Sequence, residues 1–136
     1  MKMLKTALMI LALLTITATG FADSFTLQNQ TSYPMKDQKS KIAVQWATSV
    51  KEVEQNNIAL MHGQKINPDT LKMLTKSGKT NLNIPKNVEF FRVLVWSKGQ
   101  NEPDLHTNWI EIVPNKTYTL ETDHLVPTVL MSGSGC

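Results

Sequence analysis

Phe90-Phe91-Arg92-Val93-Leu94-Val95-Trp96 is apolar on both faces of an extended chain, interrupted only by Arg92. Seven residues of this kind, rich in β-branched and aromatic side chains, predict a central strand. Successive side chains of a strand point to opposite faces. If Phe91, Val93 and Val95 face one core, then Phe90, Arg92, Leu94 and Trp96 share the other face. That second face carries too much apolar area to be solvated unless something covers it.

The same period of two recurs on either side. Ile42, Val44 and Trp46 alternate with Ala43, Gln45 and Ala47, and Phe25, Leu27 and Asn29 alternate with Ser24, Thr26 and Gln28. Trp109 to Val113 and Thr117 to Glu121 are two further strands, with Ile110, Ile112, Tyr118 and Leu120 inward. Pro114-Asn115 between them has turn chemistry and predicts a hairpin. Leu125 to Met131 supplies a last strand, which Pro127 confines to an edge or a bulge.

The middle of the chain is less regular. Ile58 to Met61 and Gln64 to Ile66 flank His62-Gly63, a candidate tight hairpin turn. For residues 68–76 two readings compete. Asn67-Pro68 is a helix-start signal, but Leu71, Met73 and Thr75 alternate as a strand that turns at Ser77-Gly78-Lys79 and returns through Leu82 and Ile84. The strand reading fits the spacing better. Seven or eight short strands at about ten-residue intervals predict an all-β fold, an antiparallel β-sandwich of immunoglobulin-like architecture. The Cys…Trp…Cys framework of antibody-type domains is absent from the sequence.

Residues 1–22 read as a signal peptide. Lys2 and Lys5 form a basic n-region, Ala7 to Ile16 an apolar h-region, and Gly20-Phe21-Ala22 a small-residue cleavage site, so the mature chain is expected to begin at Asp23. The destination is a bacterial periplasm or the medium, with no transmembrane segment in the mature chain. No cysteine lies near the cleavage point to carry a lipid. The expected organisation is residues 1–22 as leader, 23–131 as one β-sandwich domain, and 132–136 as a flexible Gly/Ser tail ending in Cys136.

Two of the fourteen Lys and Arg residues are Lys2 and Lys5, so the mature chain carries 12 − 11 = +1. Residues 36–86 hold nine Lys against Asp37, Glu52, Glu54 and Asp69, whereas residues 87–136 hold three cations against six carboxylates. The dispersed Lys residues and the single Arg argue against nucleic acid as a partner. One cysteine excludes an intrachain disulfide, and Cys136 on its Ser132-Gly133-Ser134-Gly135 tether is a candidate for an interchain disulfide joining a homodimer.

Catalytic signatures are weak. Gly133-Ser134-Gly135 lacks the spacing of a nucleophile elbow, and a thiol on a tether has no walled site to activate it. The histidines are scattered at positions 62, 106 and 124. Asp104, His106, Asp123 and His124 would make a small secreted hydrolase or metal-dependent enzyme only if their loops converge. Asn29-Gln30-Thr31 and Asn115-Lys116-Thr117 match the glycosylation acceptor pattern. Of the large aromatics, Trp46, Trp96 and Trp109, one is expected to fill the core; the others either cover strand ends or, for Trp96 or Trp109, lie on a binding surface with Phe90 and Arg92. The sequence therefore points to an exported, non-enzymatic binding or interaction module without cofactor or resident metal, whose partner is a protein or a carbohydrate. A structural subunit joined through Cys136 is the remaining alternative.

Overall fold

The computed structural model describes residues 23–128. Residues 1–22, residues 129–131, the Gly/Ser segment and Cys136 lie outside the described residues, as do the signal peptide, the cleavage site and the interchain disulfide expected there.

Two sheets face each other. The smaller contains β1 (Ser24–Asn29), β4 (Gly78–Asn83) and β8 (Thr117–Leu120), in the order β4-β1-β8. The larger contains β2 (Lys41–Ala47), β3 (Leu71–Leu74), β5 (Phe90–Trp96), β6 (Leu105–His106) and β9 (Val126–Pro127), in the order β3-β2-β5-β6-β9, with β7 (Ile110–Glu111) also paired to β5. The expected all-β sandwich is therefore present, with nine strands among the described residues rather than seven or eight. Its order does not by itself make an immunoglobulin topology. The pairing is also not wholly antiparallel, because β8 runs parallel to β1.

The inward phases read from the sequence are those observed. Ile42, Val44 and Trp46 of β2 and Phe91, Val93 and Val95 of β5 pack with Phe25 and Leu27 of β1, Leu82 of β4 and Leu120 of β8. Phe25 stacks on Phe91 at 4.8 Å between ring centroids and meets Trp46 and Tyr118 edge-on. Trp46 is thus the tryptophan that fills the space between the sheets. Pro127 lies on β9, the edge strand, where a missing N–H costs no ladder bond.

Two local expectations are corrected and a third choice is settled. Ile58 to Met61 is not a hairpin arm but the end of a helix, α1 (Val50–Met61), and His62-Gly63 is its exit, with Gly63 at φ 64°. Ser49 caps the helix by accepting from the Glu52 N–H, while the Glu52 carboxylate accepts from the Thr48 N–H, one residue before the cap. Secondly, Pro114-Asn115 does turn the chain, with Asn115 at φ 66°, yet no hairpin forms. β7 stays in the larger sheet and β8 crosses to the smaller, because Tyr118 and Leu120 bury against the inner core rather than beside β7. Thirdly, both readings of residues 68–76 hold in part. Asn67 caps a single 3-10 turn, Pro68–Thr70, and the chain then enters β3 and returns through β4.

The helix answers the question posed by the outer face of β5. It lies across β2 and β5, where Leu60 joins Ala43, Leu94 and Trp96 in a second, smaller apolar cluster with Ile66 and Leu71 at its margin.

Candidate functional site

The outer face of the β2–β5 pair is apolar at one end and polar at the other. Gln45 and Arg92 are directly opposite each other across the ladder, and both are buried, at 2% and 1% exposure. Arg92 Nε donates to Gln45 Oε1 at 2.7 Å. The helix completes the arrangement: Arg92 Nη1 donates to Asn57 Oδ1 at 3.0 Å and Nη2 to the Asn56 carbonyl at 3.2 Å.

The neighbouring stretch from β6 to β7 brings the remaining groups. Phe91 pairs with Ile110 of β7, and Leu94 pairs with His106 of β6. Between these pairs two residues of β5, Arg92 and Val93, stand opposite three, Thr107, Asn108 and Trp109, which is a bulge. Thr107 anchors it, accepting from the Val93 N–H at 2.9 Å and returning its own N–H to the Val93 carbonyl. The extra residue lets Trp109 lie over Arg92, with the guanidinium carbon 4.5 Å from the ring centroid, while the indole N–H donates to Asn57 Oδ1 at 2.9 Å. His106 hydrogen-bonds through Nδ1 with Thr128 Oγ1 at 2.9 Å.

These groups wall a recess of about 260 Å³ lined by Asn57, Leu60, Met61, Arg92, His106, Trp109 and Thr128 among others. Its electrostatics are unusual. Burial lowers the Arg92 pKa to about 10, which leaves the group cationic at neutral pH. All three of its hydrogen-bond acceptors are neutral, and among the described residues no carboxylate lies within ion-pair distance of it. Buried charges are normally paired, because desolvating an ion costs several kcal/mol. Stacking on Trp109 offsets only about 1–2 kcal/mol of that. His106 is held below its ordinary pKa, first by burial and then by the charge of Arg92, so the site contains one full positive charge at neutral pH.

Of the four residues expected to bind ligand, Arg92 and Trp109 come together here. Trp96 is covered by the second apolar cluster, and its ring lies 5.8 Å from the Lys41 ammonium at the margin of a separate recess of about 500 Å³ near Gly63, Lys65 and Glu102. Phe90, half-buried at the start of β5, lines neither recess. Asn57, which binds both Arg92 and Trp109, was missed because the helix that carries it was not read. The Ser49-x-x-Glu52 capping pattern was the available signal.

The four residues of the enzyme alternative do not converge. Asp104 is held by Ser97, whose N–H donates to Oδ1 at 2.8 Å and whose hydroxyl donates to Oδ2. Burial pushes its pKa up, but these hydrogen bonds and that of Gln100 outweigh it and hold Asp104 below the ordinary value. Asp123 and His124 lie at the mouth of an inter-sheet cleft of about 390 Å³, clustered with Glu121 rather than with His106. That trio is exposed, and it belongs to a 3-10 turn whose N-cap residue, Glu121, donates its backbone N–H to His124 Nδ1 at 3.1 Å. His62 is exposed at the helix exit. Of the two acceptor motifs, Asn29 is 3% exposed with its amide donated to the Tyr33 carbonyl, which leaves no room for a glycan, whereas Asn115 is exposed on its turn. No helix among the described residues is long and apolar enough to cross a membrane.

The fold and site together define a β-sandwich with one covering helix and a cationic recess beneath it. No protein-family model matches the chain, and no curated protein matches it either.

Proposed function

We propose that the protein is an exported, non-enzymatic binding module, and that its ligand enters the recess between α1 and the β5–β6 edge. One observation carries this reading: Arg92 is buried, charged and without a carboxylate partner among the described residues, and it lines a recess together with Trp109. Binding energy would come from supplying what the fold omits. The dispersal of Asp104, His106, Asp123 and His124 argues against the hydrolase alternative, since acid–base and metal chemistry both require groups within reach of one substrate atom. Export rests on the n-, h- and c-regions of residues 1–22.

Native mass spectrometry of the protein equilibrated with the small-molecule fraction of its native envelope or medium tests the reading. The expected result is a one-to-one adduct that disappears in Met61→Trp, which plugs the recess from an exposed position on α1. An adduct that persists in Met61→Trp, or steady consumption of a component of the mixture, would contradict it.

A further inference from the structure

We propose that the recess recognises a monovalent carboxylate, carried on a body no larger than one sugar ring or one amino-acid side chain, through the free donors of Arg92. This rests on the binding-module reading above and names its ligand chemistry. A guanidinium has five N–H donors, and Arg92 uses three, to Gln45, Asn57 and Asn56, leaving 5 − 3 = 2 on a group that lines the recess. A carboxylate accepts two parallel N–H bonds in the plane of the guanidinium, the geometry at which arginine excels over lysine.

Charge and size narrow the class. One cation in a half-enclosed site neutralises one negative charge, whereas a phosphate dianion would bring a surplus negative charge into a place that water screens poorly. The neighbouring imidazole, His106, is held towards its neutral form and supplies no second charge at neutral pH. The volume of about 260 Å³ falls below the usual range for drug-sized ligands, so the carboxylate must sit on a small body or at the end of a narrow one. The scaffold is already set. Trp109 fixes one face of the guanidinium and Gln45 with α1 fixes its edge, so little side-chain entropy remains to be lost on binding.

Arg92 is the only arginine in the sequence, so its Nε–H gives a single resonance in a nitrogen–proton spectrum. Titration at pH 7 with glucuronate, N-acetylalanine, glucose and inorganic phosphate is the test. Glucuronate or N-acetylalanine, each a monoanion, should move both the Arg92 Nε–H and Trp109 Nε1–H signals, and bind at least tenfold more tightly than glucose. Whichever of the two binds more tightly tells an acidic sugar from an acylated amino acid. Met61→Glu, which places a like charge at the mouth from an exposed position, should bind about tenfold more weakly than Met61→Gln, which is nearly isosteric with it and carries no charge. If phosphate binds more tightly than both carboxylates, if glucose equals glucuronate, or if the Arg92 signal stays still at saturating carboxylate, the inference is wrong. The mass-spectrometric adduct would decide separately whether the module reading survives.

Discussion

The two faces of the β2–β5 pair are built from the same strands to opposite standards. Inward, Ile42, Val44, Trp46, Phe91, Val93 and Val95 are uniformly apolar and close against the smaller sheet. Outward, Ala43, Leu94 and Trp96 form an apolar patch at one end, while Gln45 and Arg92 occupy the other under Asn56 and Asn57. A protein selecting for stability alone would continue the apolar patch under the helix, because well-packed hydrophobic residues usually match or exceed buried ionic groups in stability. The inner face is a continuous apolar core, whereas the outer face holds a buried cation whose acceptors are all neutral.

The largest effect should come from the inner face. Val44 and Val93 are ladder partners at the centre of the core. Val93→Asp places a carboxylate there without a partner and should cost about 4 kcal/mol, comparable to the total stability of a small domain. Chemical denaturation measures this, and a midpoint within experimental error of the native protein would show that the faces have been assigned the wrong way round.

A substitution at the buried arginine should behave quite differently. Arg92→Met removes a desolvated charge worth several kcal/mol but leaves Gln45 Oε1 and the Asn56 carbonyl without their donor, at about 1–3 kcal/mol each. These terms oppose each other, so the net change in stability should stay within about 2 kcal/mol while carboxylate binding is lost. Unfolding of this variant at room temperature would make Arg92 a structural clamp for the helix.

The helix itself contributes less. Ser49→Ala removes the cap on the Glu52 N–H and should cost about 1 kcal/mol, seen as a small fall in melting temperature. It should also loosen the recess from one side, since Asn56 and Asn57 ride on α1.

The smallest effect is that of pH on the outer face. Because His106 has a lower pKa folded than unfolded, the unfolded chain binds more protons as pH falls through the ordinary histidine range of about 6.5. Its contribution is therefore favourable above that range and is lost as pH drops towards and below the folded value. The melting temperature should fall more between pH 7.5 and pH 5.5 in the native protein than in His106→Gln. Equal slopes would mean that neither burial nor the Arg92 charge holds the folded-state pKa of His106 below its ordinary value.

The contrast between the faces also explains what the sequence could reveal. β2 and β5 were legible because a strong period of two on the inner face leaves little choice of phase, and the excess apolar area on the outer face marked it as unsolvated unless covered. The cover was not legible. Its docking surface includes Asn56, Asn57 and Leu60, whereas Val50 and Ile58 are 62% and 52% exposed, so no apolar stripe of helical period stands out. The hairpin expected at Pro114-Asn115 failed for another reason: turn chemistry dictates a local reversal but not the sheet that the next strand joins. At the site, Arg92 and Trp109 were readable as aromatic and cationic groups on one unsolvated face. Their meeting depends on a bulge at Thr107-Asn108-Trp109, a matter of register that pairing with β5 decides.

The central claim is that the outer-face charge is kept for a ligand rather than for the fold. The double variant Arg92→Met/Gln45→Leu tests it most directly, because it removes the buried cation and its principal acceptor together. Without ligand, its melting temperature should exceed that of the native protein by about 4 °C, equivalent to about 1 kcal/mol. Saturating carboxylate should raise the native protein to or above that level and leave the double variant unmoved. A double variant that melts below the native protein in the absence of any ligand would contradict the account and make the arginine cluster part of what holds the helix to the sandwich.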